Sequence, residues 1–168
     1  MEKIVIWLTE NLVGKIANEW IVFIISMIPI LELRGGILAA SPAFLDVPAL
    51  HTIPLCIVGN MIPIPFILLF IKQIFQWMKK YKRLGKIATW FENKALSKKD
   101  KVEKYEFWGL VLFVGIPLPG TGAWTGSLIA ALIDIDFKKA IAAIFVGIMI
   151  ATVIMSCISY GLLGVLFG

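Results

Sequence analysis

Apolar positions in this chain fall into three kinds of stretch, and each kind predicts a different element. Ile4, Leu8, Leu12 and Ile16 recur every fourth residue with Val5, Trp7 and Val13 beside them, while Glu2, Lys3, Glu10, Asn11 and Lys15 fill the other positions. That spacing predicts an amphipathic helix over residues 3–18, too polar to span and suited to a membrane surface. Residues 20–31 are apolar, but at 1.5 Å per residue the stretch before Glu32 reaches only about 16 Å, half of a hydrocarbon core. Glu32, Arg34, Gly35 and Gly36 follow, then a short apolar run to Ala40 that ends at Pro42, Asp46 and Pro48. A polar, glycine-rich break between two half-length helices predicts a re-entrant hairpin. Residues 53–71 are uncharged and long enough to span, with Asn60 as the one strongly polar side chain. Pro54, Pro63 and Pro65 are expected to kink this span.

The same order then returns. Over residues 72–104 a stripe of Ile74, Trp77, Met78, Tyr81, Leu84, Ile87, Ala88 and Phe91 faces away from the lysines, and Leu96-Ser97-Lys98-Lys99-Asp100 reads as a break between two surface helices. Residues 107–119 form a second half-length run ending in Pro117-Leu118-Pro119-Gly120-Thr121-Gly122-Ala123-Trp124-Thr125-Gly126-Ser127, followed by the short run Leu128–Ile133. After a polar loop with Asp134, Asp136, Lys138 and Lys139, residues 140–167 are uncharged and long enough to span with tilt. Arg34-Gly35-Gly36-Ile37-Leu38-Ala39-Ala40 aligns with Thr125-Gly126-Ser127-Leu128-Ile129-Ala130-Ala131. Ile28-Pro29 aligns with Ile116-Pro117, and Val58-Gly59-Asn60-Met61-Ile62 with Val146-Gly147-Ile148-Met149-Ile150. Three blocks in one order predict an internal repeat. The chain therefore reads as an all-α integral membrane protein with two repeats, 1–71 and 72–168, each a surface helix, a re-entrant hairpin and a transmembrane helix.

Composition agrees with the pattern. Of 168 residues, 60% are hydrophobic and 16% charged, against about 45–50% and about 25% in soluble domains; mean hydropathy is +0.91. Disordered, disulfide-stapled and ordinary soluble-enzyme classes are excluded on that ground. The net charge of +5 is unevenly placed: residues 72–106 hold eleven bases and four acids, leaving five bases and seven acids elsewhere. The basic segment is expected to stay in the cytoplasm, which orients the chain in the inner membrane. With one span per half, the two repeats then have opposite orientations, their hairpins meeting near the midplane as in many secondary transporters. No cleavable signal peptide is expected, since Ile4–Leu8 is too short an apolar run. Cys56 and Cys157 lie in apolar runs and read as lipid-buried thiols, His51 reads as an exposed loop residue, and neither a metal site nor a cofactor is expected.

Glu32 and Arg34 are the sharpest chemical feature, because a charge at the bilayer centre costs at least about 2.5–3.5 kcal/mol on insertion scales. Glu32 fits a proton or cation site and Arg34 an anion ligand; the alternative is an internal pair that closes the fold. Gly120, Thr121 and Gly122, with Trp124, Thr125 and Ser127, offer backbone N–H groups and hydroxyls to an anion, or simply allow tight packing. It is not a nucleotide-binding loop, since no lysine follows the glycines. Asn60 faces a cavity or serves the carbonyls that the prolines free. Trp124 lines a substrate path or packs. Asp134 and Asp136 read as caps before the last helix. The basic stretch fits anionic lipid headgroups better than nucleic acid.

Ile28 to Ile37 and Gly115 to Ser127 resemble the two signature segments of the prokaryotic small multi-drug export proteins, over nearly the whole chain. The layout is more remotely similar to the DedA/VTT superfamily, in which paired re-entrant hairpins are linked to lipid and polyprenyl phosphate translocation. These resemblances imply a small proton- or ion-coupled transporter of a lipid-like or amphipathic anion. Glu32 would be the coupling site; Arg34 with Gly35, Gly36 and the Gly120–Ser127 backbone would be the ligand site. Expected partners are membrane lipids, the substrate and a second copy in a homodimer, and no nucleic acid. Multidrug efflux and a non-transporting membrane scaffold are the other readings.

Overall fold

The computed structural model describes residues 2–97, 106–118 and 120–162. Among these the regular elements are helices: α1 (Glu2–Leu12), α2 (Asn18–Met27), α3 (Glu32–Ala40), α4 (Ala49–Met61), α5 (Pro63–Lys79), α6 (Lys82–Leu96), α7 (Glu106–Gly115), α8 (Ala123–Leu132) and α9 (Phe137–Ser156), the last continued by a π-helical stretch, Cys157–Leu162. Pro119 and most of the expected break after Ser97 lie outside the described residues.

Among the described residues, two stretches are long and apolar enough to cross a membrane. Ala49–Lys79 joins α4 and α5 over 31 residues, and Phe137–Gly161 covers 25. The first extends beyond the predicted span 53–71 at both ends, and the second begins three residues before the predicted run 140–167. Pro63 occupies the first position of α5, where its missing N–H costs nothing, so the helix is interrupted only at Ile62. Only 28% and 33% of their most apolar windows are buried within the protein. The core helix of a soluble protein would be covered; here Phe66, Leu69 and Phe70 on α5, and Phe145, Met149 and Val153 on α9, are exposed. Acyl chains, unlike water, solvate such faces without cost.

Two compact units arise, and the long helices pass between them in sequence. One comprises Met1–Ile62 with Ile148–Gly168, the other Pro63–Gly147. This partition by compactness exchanges the ends of the long helices relative to the repeat halves 1–71 and 72–168. In the first unit, α2, α3 and α4 pack on one another and α1 packs on α2 and α3. Tyr160 ties the chain's C-terminal part into this unit: its hydroxyl donates to the Val47 carbonyl at 3.0 Å and lies 3.3 Å from Thr52 Oγ1. In the second unit α8 packs on α5, α6 and α7, and α5 on α6. Ile64, Ile67 and Phe75 form the buried stripe of α5. Asp136 caps α9 as expected, its carboxylate accepting from the N–H groups of Lys138 and Lys139 at 3.1 Å, while Asp134 pairs instead with Lys72.

Three local expectations are corrected. Helix α1 stops at Leu12 rather than running to residue 18, because Gly14 takes φ +79 and turns the chain. His51 lies in the first turn of α4, exposed but not in a loop. Most importantly, the breaks fall earlier than expected. The first is Ile28–Leu31 and the second Ile116–Gly122, so Gly120, Thr121 and Gly122 lie in the second break as expected, whereas Glu32 to Gly36 and Trp124 to Ser127 lie inside α3 and α8. Pro29 and left-handed backbone at Ile30 end the first helix; Gly36 and Gly126 serve helix contact instead.

Candidate functional site

The two breaks share a backbone signature. In the first, Ile30 and Glu32 have φ +80 and +51; in the second, Gly120 and Gly122 have φ +75 and +130. Left-handed backbone thus occurs at the same alternate positions, displaced by 90 residues. Glycine adopts it freely, whereas an L side chain costs about 1–2 kcal/mol there. The second break has glycine at both positions. The first carries a β-branched residue and an acid, and strain of this kind persists only where the surroundings hold it.

The helix contacts repeat as well. A Cβ on Gly59 would lie 2.9 Å from the Phe23 carbonyl oxygen and 3.2 Å from Ser26 Cβ; on Gly147 it would lie 2.9 Å from the Val111 carbonyl oxygen and 2.7 Å from Val114 Cβ. Each glycine lets a long helix touch the backbone of a half-length one. Gly36 approaches Ser26 and the Val22 backbone, as Gly126 approaches Val114 and Leu110. The N–H of Val47 bonds the Ala40 carbonyl, and that of Ile135 the Ala130 carbonyl. These pairs align Gly36, not Gly35, with Gly126, one residue from the sequence alignment. Counted from the Ile-Pro pairs to these glycines, the second copy is two residues longer than the first.

Helix α3 is buried along nearly all of its nine residues, Glu32, Arg34, Gly35 and Gly36 included. Glu32 is 5% exposed and Arg34 8%. The Glu32 carboxylate is close enough to act electrostatically on the Arg34 guanidinium. The backbone N–H of Glu32 bonds the Ile28 carbonyl at 3.0 Å, holding the acid at the start of the helix. Gly36 permits this burial: a Cβ there would sit 2.0 Å from Ser26 Oγ and 2.8 Å from Cys56 Sγ. Gly35 is closest to its own turn, at Leu31. Asn60, near the end of α4, belongs to the same unit and is 2% exposed. Its Oδ1 has no hydrogen-bond partner among the described residues, and an unmet buried acceptor costs about 1–3 kcal/mol.

The remaining sequence-derived residues lie in the second unit. Thr121 closes the break on itself, its hydroxyl lying 3.0 Å from the Ile116 carbonyl and 2.8 Å from that of Leu118. Gly120 is exposed, Trp124 and Thr125 are half-buried on the first turn of α8, and Gly122 precedes that helix. Ser127 is fully buried and donates to the Trp124 carbonyl at 2.8 Å. Sequence reasoning passed over Ser26, although it is the one hydroxyl in the Trp20–Leu31 run, and it is the residue against which Gly36 and Gly59 both pack.

Apolar helices of spanning length, together with buried charges on a half-length helix, define a small helical membrane protein. The chain belongs to the family described as "Putative small multi-drug export protein", whose profile matches residues 32–154 and so takes in Glu32, Arg34 and the second break. That family is one of export, which places the chain among membrane transport proteins and not in an enzyme class. No curated protein and no solved structure matches the chain.

Proposed function

We propose that this protein is a small secondary transporter of the cytoplasmic membrane, coupled to protons or another cation through Glu32, that moves a lipid-like or amphipathic anion. One observation carries the reading: a buried carboxylate is held in left-handed backbone where the second repeat has Gly122. A fold gains nothing from strain and a buried charge at one position unless that group acts. Arg34 and the N–H groups at the start of α3 favour a negative ligand group, and the N–H groups preceding α8 offer the same chemistry in the second half. Asn60, with its unmet Oδ1, supplies a neutral acceptor on the substrate or ion route.

The two half-length pairs, α2–α3 and α7–α8, are re-entrant hairpins in this reading, and the shared break and glycine contacts support their descent from one repeat. The lysine-rich segment around α6 faces the cytoplasm, so the repeats have opposite orientations. A protein this small works as a homodimer. The family's description favours a second reading, efflux of small amphipathic compounds.

Proteoliposomes loaded with a fluorescent polyprenyl phosphate, a fluorescent phospholipid or ethidium separate these cases. Wild type is expected to move the anionic lipid, and Glu32→Gln to slow it at least about tenfold, a barrier change near 1.4 kcal/mol, with the protein still folded. Ethidium flux alone establishes drug efflux. Equal flux of all three in wild type and Glu32→Gln removes the coupling role, and no flux in wild type leaves a membrane scaffold. Orientation has its own test. Ser97 ends α6 and is exposed, so a Ser97→Cys variant should react with an impermeant maleimide only after the membrane is opened. Labelling of intact cells would reverse the orientation and end the inverted-repeat reading.

A further inference from the structure

A cleft of about 600 Å³ opens where α5 turns into α6, lined by Lys79, Tyr81, Lys82, Lys86, Thr89 and Trp90 among others. Helical geometry explains the lining: Lys82, Lys86, Thr89 and Asn93 recur every three or four residues and so share one face of α6. Ala88 and Ala95, on the opposite face, are the buried residues of this helix. Gly85 also lines it and lets α6 approach the end of α5, since a Cβ there would lie 3.2 Å from Lys79 Cα. Lys79 is paired with Glu92 across the helices, which leaves Lys82 and Lys86 as the ammonium groups directed at a ligand. Between Lys72 and Ser97 there are seven bases against one acid, so the cleft sits in a positive field, with no carboxylate among the described residues that line it.

Its rim is aromatic. Trp77, Tyr81 and Trp90 are 54%, 52% and 55% exposed, and Trp77 and Tyr81 meet edge to face at 5.2 Å. Lys94 lies 4.5 Å above the Trp90 ring. Exposed indole and phenol rings beside lysines are the side chains that settle at the level of lipid headgroups, with the ring toward the acyl chains and the charge toward phosphate. A soluble anion would need the lysines but has no use for that aromatic rim.

From this arrangement we infer that the α5–α6 cleft is a binding site for the phosphate headgroup of an anionic membrane phospholipid. Lys82 and Lys86 hold the phosphate, Thr89 and Asn93 hydrogen-bond the headgroup, and Tyr81 and Trp90 border the acyl chains. The site is separate from Glu32 and Arg34 and stands whether or not those residues transport anything.

Thermal unfolding of the purified full-length protein in neutral detergent tests it, with phosphatidylglycerol, phosphatidylcholine or inorganic phosphate added in turn. Phosphatidylglycerol at saturating concentration should raise Tm of the wild type by about 5 °C, phosphatidylcholine and phosphate by much less. The double variant Lys82→Gln/Lys86→Gln should keep the lipid-free Tm, both side chains being exposed, and lose most of the phosphatidylglycerol shift. Arg83→Gln, which removes an equal kind of charge from the same helix outside the cleft, should keep it. A shift retained by the double variant, a shift lost equally in Arg83→Gln, or an equal response to phosphatidylcholine overturns the site. An equal response to inorganic phosphate overturns the lipid as its occupant.

Discussion

Replacing Arg34 by methionine is expected to destabilise the protein by about 3–5 kcal/mol, the cost typical of removing one of two interacting buried charges. Glu32 and Arg34 share the first turn of α3, both nearly inaccessible, and the carboxylate acts on the guanidinium. With the cation gone, the carboxylate must stay charged in an apolar interior or take up a proton. Removing the negative charge as well should recover much of the loss. Glu32→Gln/Arg34→Met is therefore expected to be clearly more stable than Arg34→Met alone, with a coupling energy within the 0.5–3 kcal/mol range of interacting pairs. Reversible unfolding in detergent of the wild type, both single variants and the double variant closes this cycle. If Arg34→Met changes stability by less than about 0.5 kcal/mol, or the double variant equals the sum of the singles, the two charges are independent.

Gly147→Val and Gly59→Val form the second large prediction. Each substitution places a branched side chain where even a Cβ would be 2.9 Å from a backbone carbonyl oxygen. Backbone cannot rotate away as a side-chain tip does, so the helices must separate. Overpacking of a close contact typically costs about 1–3 kcal/mol, and a rigid neighbour with a β-branched residue puts these variants at or above the upper end. Gly161→Ala is the control, since a Cβ there would meet nothing among the described residues beyond its own stretch of chain; its stability should change by less than about 1 kcal/mol. Loss of Tm in both valine variants with an unchanged Gly161→Ala is the expected result. A tolerated Gly147→Val would show that the contact in the second unit gives way and that the recurrence of the two crossings has no energetic weight.

The residues behind these two sets of variants differ in how legible they are in the sequence. Asn60 and the Glu32–Arg34 pair stood out from composition alone, because a polar group in an apolar run is rare and expensive. The glycines also stood out, yet for the wrong reason in part. Gly35, Gly36 and Gly126 looked like hairpin openers, since glycine permits a break; the actual breaks fall at Ile28–Leu31 and Ile116–Gly122. No local propensity points to left-handed backbone at Ile30 or Glu32, because both residues disfavour it. Ser26 was likewise overlooked, its importance lying in what packs against it and not in its own chemistry.

Run length and charge placement are properties of the chain itself. They sufficed for the helical class, the two long apolar stretches, the half-length helices around two breaks and the separation of the basic segment from an apolar body, because hydrocarbon thickness and the cost of burying charge act on any segment by its own composition. Handedness at Ile30 and Glu32, the one-residue shift that pairs Gly36 with Gly126, the exchange of long-helix ends between compact units and the α5–α6 cleft emerged only with the packed helices. Each of those depends on which atoms lie opposite a residue, at distances of a few ångströms, and a missing Cβ or a strained φ has no meaning until the neighbour that requires it is in place.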